Sequence, residues 1–321
     1  MLNISLGSVK IPFKEVLLSL LGDEDGKQSW YYIIRDYRVP KAITAILVGS
    51  GLSVSGLLMQ TLFRNPLAGP FVLGISSGAS LGVAILILGG SLLGANITAI
   101  AYSNYGLAIA SSLGAFLVLL AVMIVAQRVR NTMSILVIGL MFGSLTSAII
   151  SVLAYFSTAE QLQQYMFWSF GSLGNLSWNE LTLFFVVYLI GMLLVVFVIK
   201  PLNSLLLGEN YAKSMGVNLK RTQNITLIAT ALLTGIITAF SGPIAFIGLA
   251  VPHIAKIIFK TSNHKILLPA TLITGAIVML ISDTIAQLPN SEYTLPINAI
   301  TSLFGAPIVI WLLIRKRNVI L

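Results

Sequence analysis

Two histidines, ten carboxylic acids and no cysteine leave this chain of 321 residues few means of doing chemistry. Without thiols it can hold neither a disulfide frame nor a thiolate metal site. His253 and His264 are its only imidazoles, and with few acids near them they fall short of a metal-ligand set. Neither stands with a convincing nucleophile or orienting partner, which an intramembrane enzyme would require. No Gly-x-x-x-x-Gly-Lys-[Ser/Thr] loop occurs, so the chain cannot cradle ATP phosphates by the usual route. Asp283 is the only acid well inside an apolar segment. An ionisable residue there reads either as part of an aqueous route or as an acceptor for neighbouring helices. Arg38 and Lys41 flank a proline at the mouth of the first long apolar segment.

The elements that must position these residues are apolar helices. Hydrophobic residues make up 57% of the chain and charged residues 9%. A soluble domain carries about 25% charge to wet its surface, so this one has too little for a water-facing exterior. The apolar runs are continuous, unlike the alternating segments of β-barrels, and many reach the ~20 residues that a bilayer span needs. The reading is an all-α, polytopic transmembrane bundle, a single domain over residues 1–321. Nine spans are expected near Ala42–Phe63, Phe71–Gly89, Tyr105–Ala126, Met133–Phe156, Leu181–Ile199, Ile225–Phe240, Ile244–Ile258, Ile266–Leu288 and Ile297–Ile314. The glycines and serines of Gly49–Gly56, Gly74–Gly82 and Gly139–Gly143 read as surfaces that let helices approach closely.

Charge orients the bundle. After Lys41 there are thirteen basic residues, and every one falls in alternate connections; residues 90–104, 157–179, 241–243 and 289–295 carry none. Lys and Arg are retained in the cytoplasm, which places the basic connections and the C-terminus there. Scattered along loops, these cations read as topology, and no nucleic-acid partner is expected. The same parity puts residues 1–41 outside, despite six basic residues balanced by five acids. Either those charges serve an extracytoplasmic partner or a span precedes them. Trp30, Trp168, Trp178, Tyr155, Tyr165 and Tyr293 fall near outer borders and read as an aromatic belt, and Gln161–Gly171 as a small surface helix.

Several motifs stand in order along the chain: Arg38-Val-Pro-Lys41, Gly49-Ser-Gly51, Ser55-Gly56, Gln60, Arg64-Asn-Pro-Leu-Ala68, Gly242-Pro-Ile-Ala-Phe-Ile-Gly-Leu-Ala-Val-Pro-His253, Asp283 and Gly305-Ala-Pro307. Together they resemble the permeases of ATP-driven importers for iron chelates, haem and cobalamin, the FecCD-type permease family, from about Leu6 to Leu313. Family members usually have ten spans, so the resemblance implies a first helix that this sequence lacks.

The resemblance implies a membrane subunit of an ABC importer in a bacterial inner membrane, working as two copies. It also implies separate ATPase subunits that bind ATP and magnesium, an extracytoplasmic solute-binding protein, and no enzyme activity or cofactor in this chain. The cargo it implies is a ferric siderophore first, with haem or cobalamin next. Residues 202–221 look like the family's cytoplasmic coupling helices. One short helix is expected from Glu209 to Met215, with Gly208, Ala212 and the cap Gly216 completing the ATPase-facing set, and a second short helix is expected to be capped by Asn218. An ordinary solvated loop is the other reading. Arg38 and Lys41 match residues that dock the binding protein, or else snorkel at the interface; the third basic position of that patch aligns with Gln287, which is neutral. Asn65, Leu67, Thr132 and Met133 match the family's cytoplasmic gate, although Asn65-Pro66 is also a plain turn and Thr132 a plain cap. A rival from another class is an ion-coupled secondary transporter of a small solute. It calls for mid-membrane relays and repeated halves, and Asp283 alone hints at the former.

Overall fold

A computed structural model describes residues 2–7, 9, 11–21, 27–90, 103–126, 132–174, 176–288 and 293–316. All regular structure among them is helical: α1 (Leu2–Ser5), α2 (Phe13–Leu20), α3 (Gln28–Tyr32), α4 (Val39–Leu62), α5 (Ile75–Ile87), α6 (Asn104–Ala126), α7 (Thr132–Tyr155), α8 (Ala159–Ser169), α9 (Trp178–Leu205), α10 (Glu209–Ser214), α11 (Leu219–Ser241), α12 (Ile247–Phe259), α13 (His264–Ala286) and α14 (Ile297–Lys316). Six helical stretches are long and apolar enough to cross a bilayer. The remaining three expected spans are shorter apolar helices, α5, α12 and the apolar part of α14.

Two of the starts differ from the expectation in the kind of backbone that leads into them. The first span does not begin at Ala42: α3 passes through a π-helical stretch, Ile33–Arg38, into α4, making one continuous helix Gln28–Leu62 of 35 residues. The second span is broken. Pro70–Leu73 form a 3₁₀ turn, Gly74 turns left-handed at φ +72°, and only then does α5 begin. A 13-residue α5 rises only about 20 Å against a hydrocarbon core of about 30 Å. Helix α12 is equally short, launched from a non-helical Gly242–Ala245 by Phe246 in the left-handed region (φ +66°).

Helix starts carry recognisable caps. Ser177 and Glu180 form a capping box on α9, with Ser177 N–H donating to Glu180 Oε2 at 2.7 Å. Thr158 and Gln161 do the same for α8, the surface helix expected near Gln161–Gly171. The buried centre is α4, which packs against α9, α11, α12 and α13. Its most apolar window is 89% buried, against 22% for α7, so α7 stands at the edge of the chain with its apolar face open.

The connections sort by end. At one end Arg64 Nη2 donates to Leu205 O (3.3 Å), and Asn203 meets both Asn263 and His264. These belong to the Lys/Arg-bearing connections. At the other end Ser172 N–H donates to Ser241 O (3.0 Å) and Asn298 N–H to Phe170 O (3.2 Å). Those belong to connections without Lys or Arg. Three of the five Lys/Arg-bearing connections therefore touch one another at one end.

Candidate functional site

The short helix α10 stands between two glycines whose backbones other residues enter at a cost. Gly208 lies at φ +114°, ψ +150°, and Gly216 at φ +80°. Gly216 N–H donates to Lys213 O (2.9 Å) and Val217 N–H to Ala212 O (3.0 Å), the two bonds of a Schellman stop. Ala212 is fully buried and seats the helix on the bundle, while Glu209, Tyr211 and Met215 face outward with Leu206 and Leu207 beside them. Asn218 caps as expected, its Oδ1 accepting from Arg221 N–H at 3.0 Å. What it caps is the 23-residue α11, not a second short helix. Lys220 and Arg221 continue straight into the long helix because nothing after Asn218 breaks it. Residues 202–221 therefore hold one short helix between two long ones.

At the foot of α4 the chain reverses through Arg64, left-handed at φ +48°. Asn65 Oδ1 accepts from Leu67 N–H (2.9 Å), an Asx turn, and Leu67 is 42% exposed. Pro66 O accepts from His253 Nε2 at 2.8 Å, which fastens the turn to α12. The turn and the end of α9 are joined by the Arg64 to Leu205 bond. Thr132 and Met133 open α7, and their side chains lie outside the described residues.

The cations expected at the outer mouth are internal. Arg38 is buried, and its guanidinium donates to the carbonyls of Ile4 (2.6 Å), Ser5 (3.2 Å) and Val9. Lys41 Nζ lies 3.2 Å from Asp283 Oδ1, with side chains 12% and 3% exposed. Asp283 Oδ2 also accepts from Asn3 Nδ2 (2.9 Å) and from Gln287 Nε2 (2.7 Å). Arg38, Lys41 and Gln287, grouped on sequence grounds, do share one neighbourhood: Arg38 holds the carbonyls of Ile4, Ser5 and Val9, while Lys41, Gln287 and Asn3 meet on Asp283. Both cations are turned largely inward, toward Asp283 and the carbonyls of Ile4, Ser5 and Val9. Lys41 and Asp283 border a cleft of about 340 Å³ with Tyr37 and Thr294, which is their route to the surface.

The histidines have partners that spacing alone did not suggest. His264 Nε2 is 2.9 Å from Thr61 Oγ1, and Nδ1 is 2.8 Å from Asn203 Oδ1. Among the described residues no three of His, Cys, Asp and Glu converge as metal ligands would.

The model of the FecCD transport family matches residues 1–315. The chain belongs to the FecCD transport family. It is 37% identical over 282 residues to the vitamin B12 import system permease protein BtuC of Klebsiella pneumoniae, covering 88% of this chain and 82% of that one. The same protein of Salmonella paratyphi A is 37% identical over 283 residues, covering 88% and 83%. Among solved structures, a metal-chelate type ABC transporter in an inward-facing conformation superposes with a TM-score of 0.83 at 31% identity, covering 98% of this chain and 95% of the other. PsaBC of Streptococcus pneumoniae, at 15% identity and TM-score 0.58, shares the fold.

The FecCD chain is accordingly a multi-pass membrane permease of ABC importer type, and its family is one of permeases, not of enzymes. The match spans every motif read along the sequence, from Arg38 to Pro307. Gly56 and Gly248, both within those motifs, meet at the crossing of α4 and α12, where the bare backbones touch.

Proposed function

We propose that this permease is the translocation subunit of an importer for a metal chelate, a ferric siderophore or a compound of that size. Two copies enclose the pathway, a separate ATPase binds the cytoplasmic face, and a solute-binding protein delivers cargo from outside. The observation that carries this reading is α10: a short, outward-facing helix seated by one buried alanine and held between two glycines, on a chain with no nucleotide loop of its own. A lone solvated loop has no need of that construction. The C-terminus then lies in the cytoplasm with Lys213 and Arg221. Asn65 and Leu67 stand where a cytoplasmic gate would close, together with Thr132 and Met133 at the start of α7. Gly208, Glu209, Ala212, Met215 and Gly216 are the coupling set. The relatives' vitamin B12 systems favour cobalamin as the second cargo.

Reconstituted with its ATPase and binding protein, the permease is expected to accumulate labelled chelate only with ATP and without any ion gradient. Uptake that follows a proton or sodium gradient in the absence of ATP would transfer the chain to the ion-coupled class. Ferric siderophore and cobalamin offered in competition identify the cargo by which one stabilises the binding protein and is taken up. Replacing Glu209–Gly216 with a glycine-serine stretch is expected to abolish co-purification of the ATPase, and full retention would remove the coupling assignment. Gly216→Ala is a milder probe. A Cβ there meets nothing within 4 Å, so only the left-handed backbone resists it, at about 1 kcal/mol. It should weaken ATPase association while the melting temperature of the bundle stays unchanged.

Docking through Arg38 and Lys41 stays part of the proposal in a restricted form. Their charges reach a partner only if Asp283 and residues 4–9 give them up, so their contribution to recognition is expected to be small in this arrangement.

A further inference from the structure

We infer that His264 is a positioning residue that pins the stem of the coupling segment to the foot of α4, so that displacement of α10 is delivered to the turn Arg64–Leu67. The inference rests on the coupling reading of α10. His264 is 1% exposed at the first turn of α13, and it touches the two other helices that matter. Asn203, in the last turn of α9, accepts through Oδ1 from the backbone N–H of His264 at 2.8 Å. The same oxygen lies 2.8 Å from Nδ1, so the ring proton sits on Nδ1. In the neutral ring Nε2 then offers a lone pair to the Thr61 hydroxyl on α4, 2.9 Å away, whose single proton is shared with Leu57 O at 3.0 Å. Asn203 Nδ2 is held in turn by Asn263 Oδ1 at 2.9 Å, whose remaining lone pair takes Lys265 N–H at 3.0 Å. Both ring nitrogens of the buried His264 and the Oδ1 atoms of Asn203 and Asn263 have partners, and satisfied polar atoms make such a contact rigid rather than costly.

Position along the chain gives this network its direction. Asn203 precedes the start of α10 by six residues, across the end of α9 and the turn 206–208, and the intervening Leu205 carbonyl receives Arg64 Nη2. Thr61 lies one turn before Arg64, and the turn that follows is fastened to α12 through His253 and Pro66 O. Two cross-links, His264 and Arg64, therefore join the end of α9 to the end of α4. One link would leave a hinge; two hold the pieces in a fixed relation. A packed, fully bonded contact of this kind transmits displacement only in discrete arrangements.

The test uses the complex of two permeases with their ATPase and binding protein in proteoliposomes, reading chelate imported per ATP hydrolysed. His264→Ala and Asn203→Leu are each expected to lower that ratio about tenfold, while ATPase association and hydrolysis persist. The double variant is expected to be no worse than either single, because both cut the same link. Thr61→Val, which removes only the α4 arm, should reproduce the loss should His264→Ala not fold. An unchanged ratio, equal loss of uptake and hydrolysis, or additive losses in the double variant would overturn the pin. A wild-type complex whose ATPase does not depend on Glu209–Gly216 would instead overturn the coupling reading, and the pin with it.

Discussion

Asp283→Leu is expected to destabilise the solubilised permease by about 3–5 kcal/mol, because it leaves the Lys41 ammonium buried without its counter-charge. Lys41 keeps 12% of its side-chain surface and lies 3.2 Å from the carboxylate it would lose. Asn3 and Gln287 would lose the same acceptor. Lys41→Met alone strands the acid in the same way, though two amide donors still hold Asp283, so the loss should be smaller. Removing both charges together costs neither stranded ion, and the double variant is expected to recover to within about 1 kcal/mol of the parent. Thermal unfolding in a mild detergent, followed by tryptophan fluorescence, reads all three. Neutral single variants, or a double variant as poor as Asp283→Leu, would show that the pair is not a buried, mutually dependent unit.

Gly56→Ala should do comparable damage by a different route. A Cβ built on Gly56 falls 1.6 Å from the carbonyl oxygen of Gly248, and the obstacle is backbone that cannot rotate aside. Helices α4 and α12 would have to separate, taking with them the bond from Gln60 Nε2 to Leu249 O (3.1 Å). Overpacking usually costs about 1–3 kcal/mol, and a backbone-to-backbone clash belongs at or above the top of that range. Gly235→Ala on α11 is the matched control. Nothing lies within 4 Å of its Cβ, so helix propensity should make it neutral or slightly stabilising. Comparable yield and melting temperature for the two variants would show that α4 and α12 are not in the close contact described.

The apolar segments were legible because each is a continuous run, and hydropathy reports runs well. Breaks were not. The left-handed turn at Gly74 leaves no mark on hydropathy, so Phe71–Gly89 looked like one span. Gln28–Arg38 looked like a surface segment because Arg35, Asp36 and Arg38 interrupt it, yet its helix continues through a π stretch that accommodates them. Around α10 the turn chemistry was readable residue by residue, since Gly208 and Gly216 serve local backbone needs. The helix after Asn218 was misjudged, because a cap marks where a helix begins and says nothing of its length. Charges were the least legible. Arg38 and Lys41 are recognisable as outer cations, but their partners come from Ile4, Ser5 and Asp283, and no spacing rule links such distant positions. His264 and Asn203, 61 residues apart, escaped for the same reason.

The helix Gln28–Leu62 has a mechanical consequence. Its 35 residues reach roughly 50 Å, against a hydrocarbon thickness of about 30 Å, so a sizeable arm stands clear of the lipid. Thr61 is near one tip and Tyr37 is near the base of the protruding arm. A stiff beam of that length cannot lean at its base and keep its top still. Whatever rocks the foot by a few degrees swings the far end through a wider arc, so events at the two membrane faces are geared together by one piece of secondary structure.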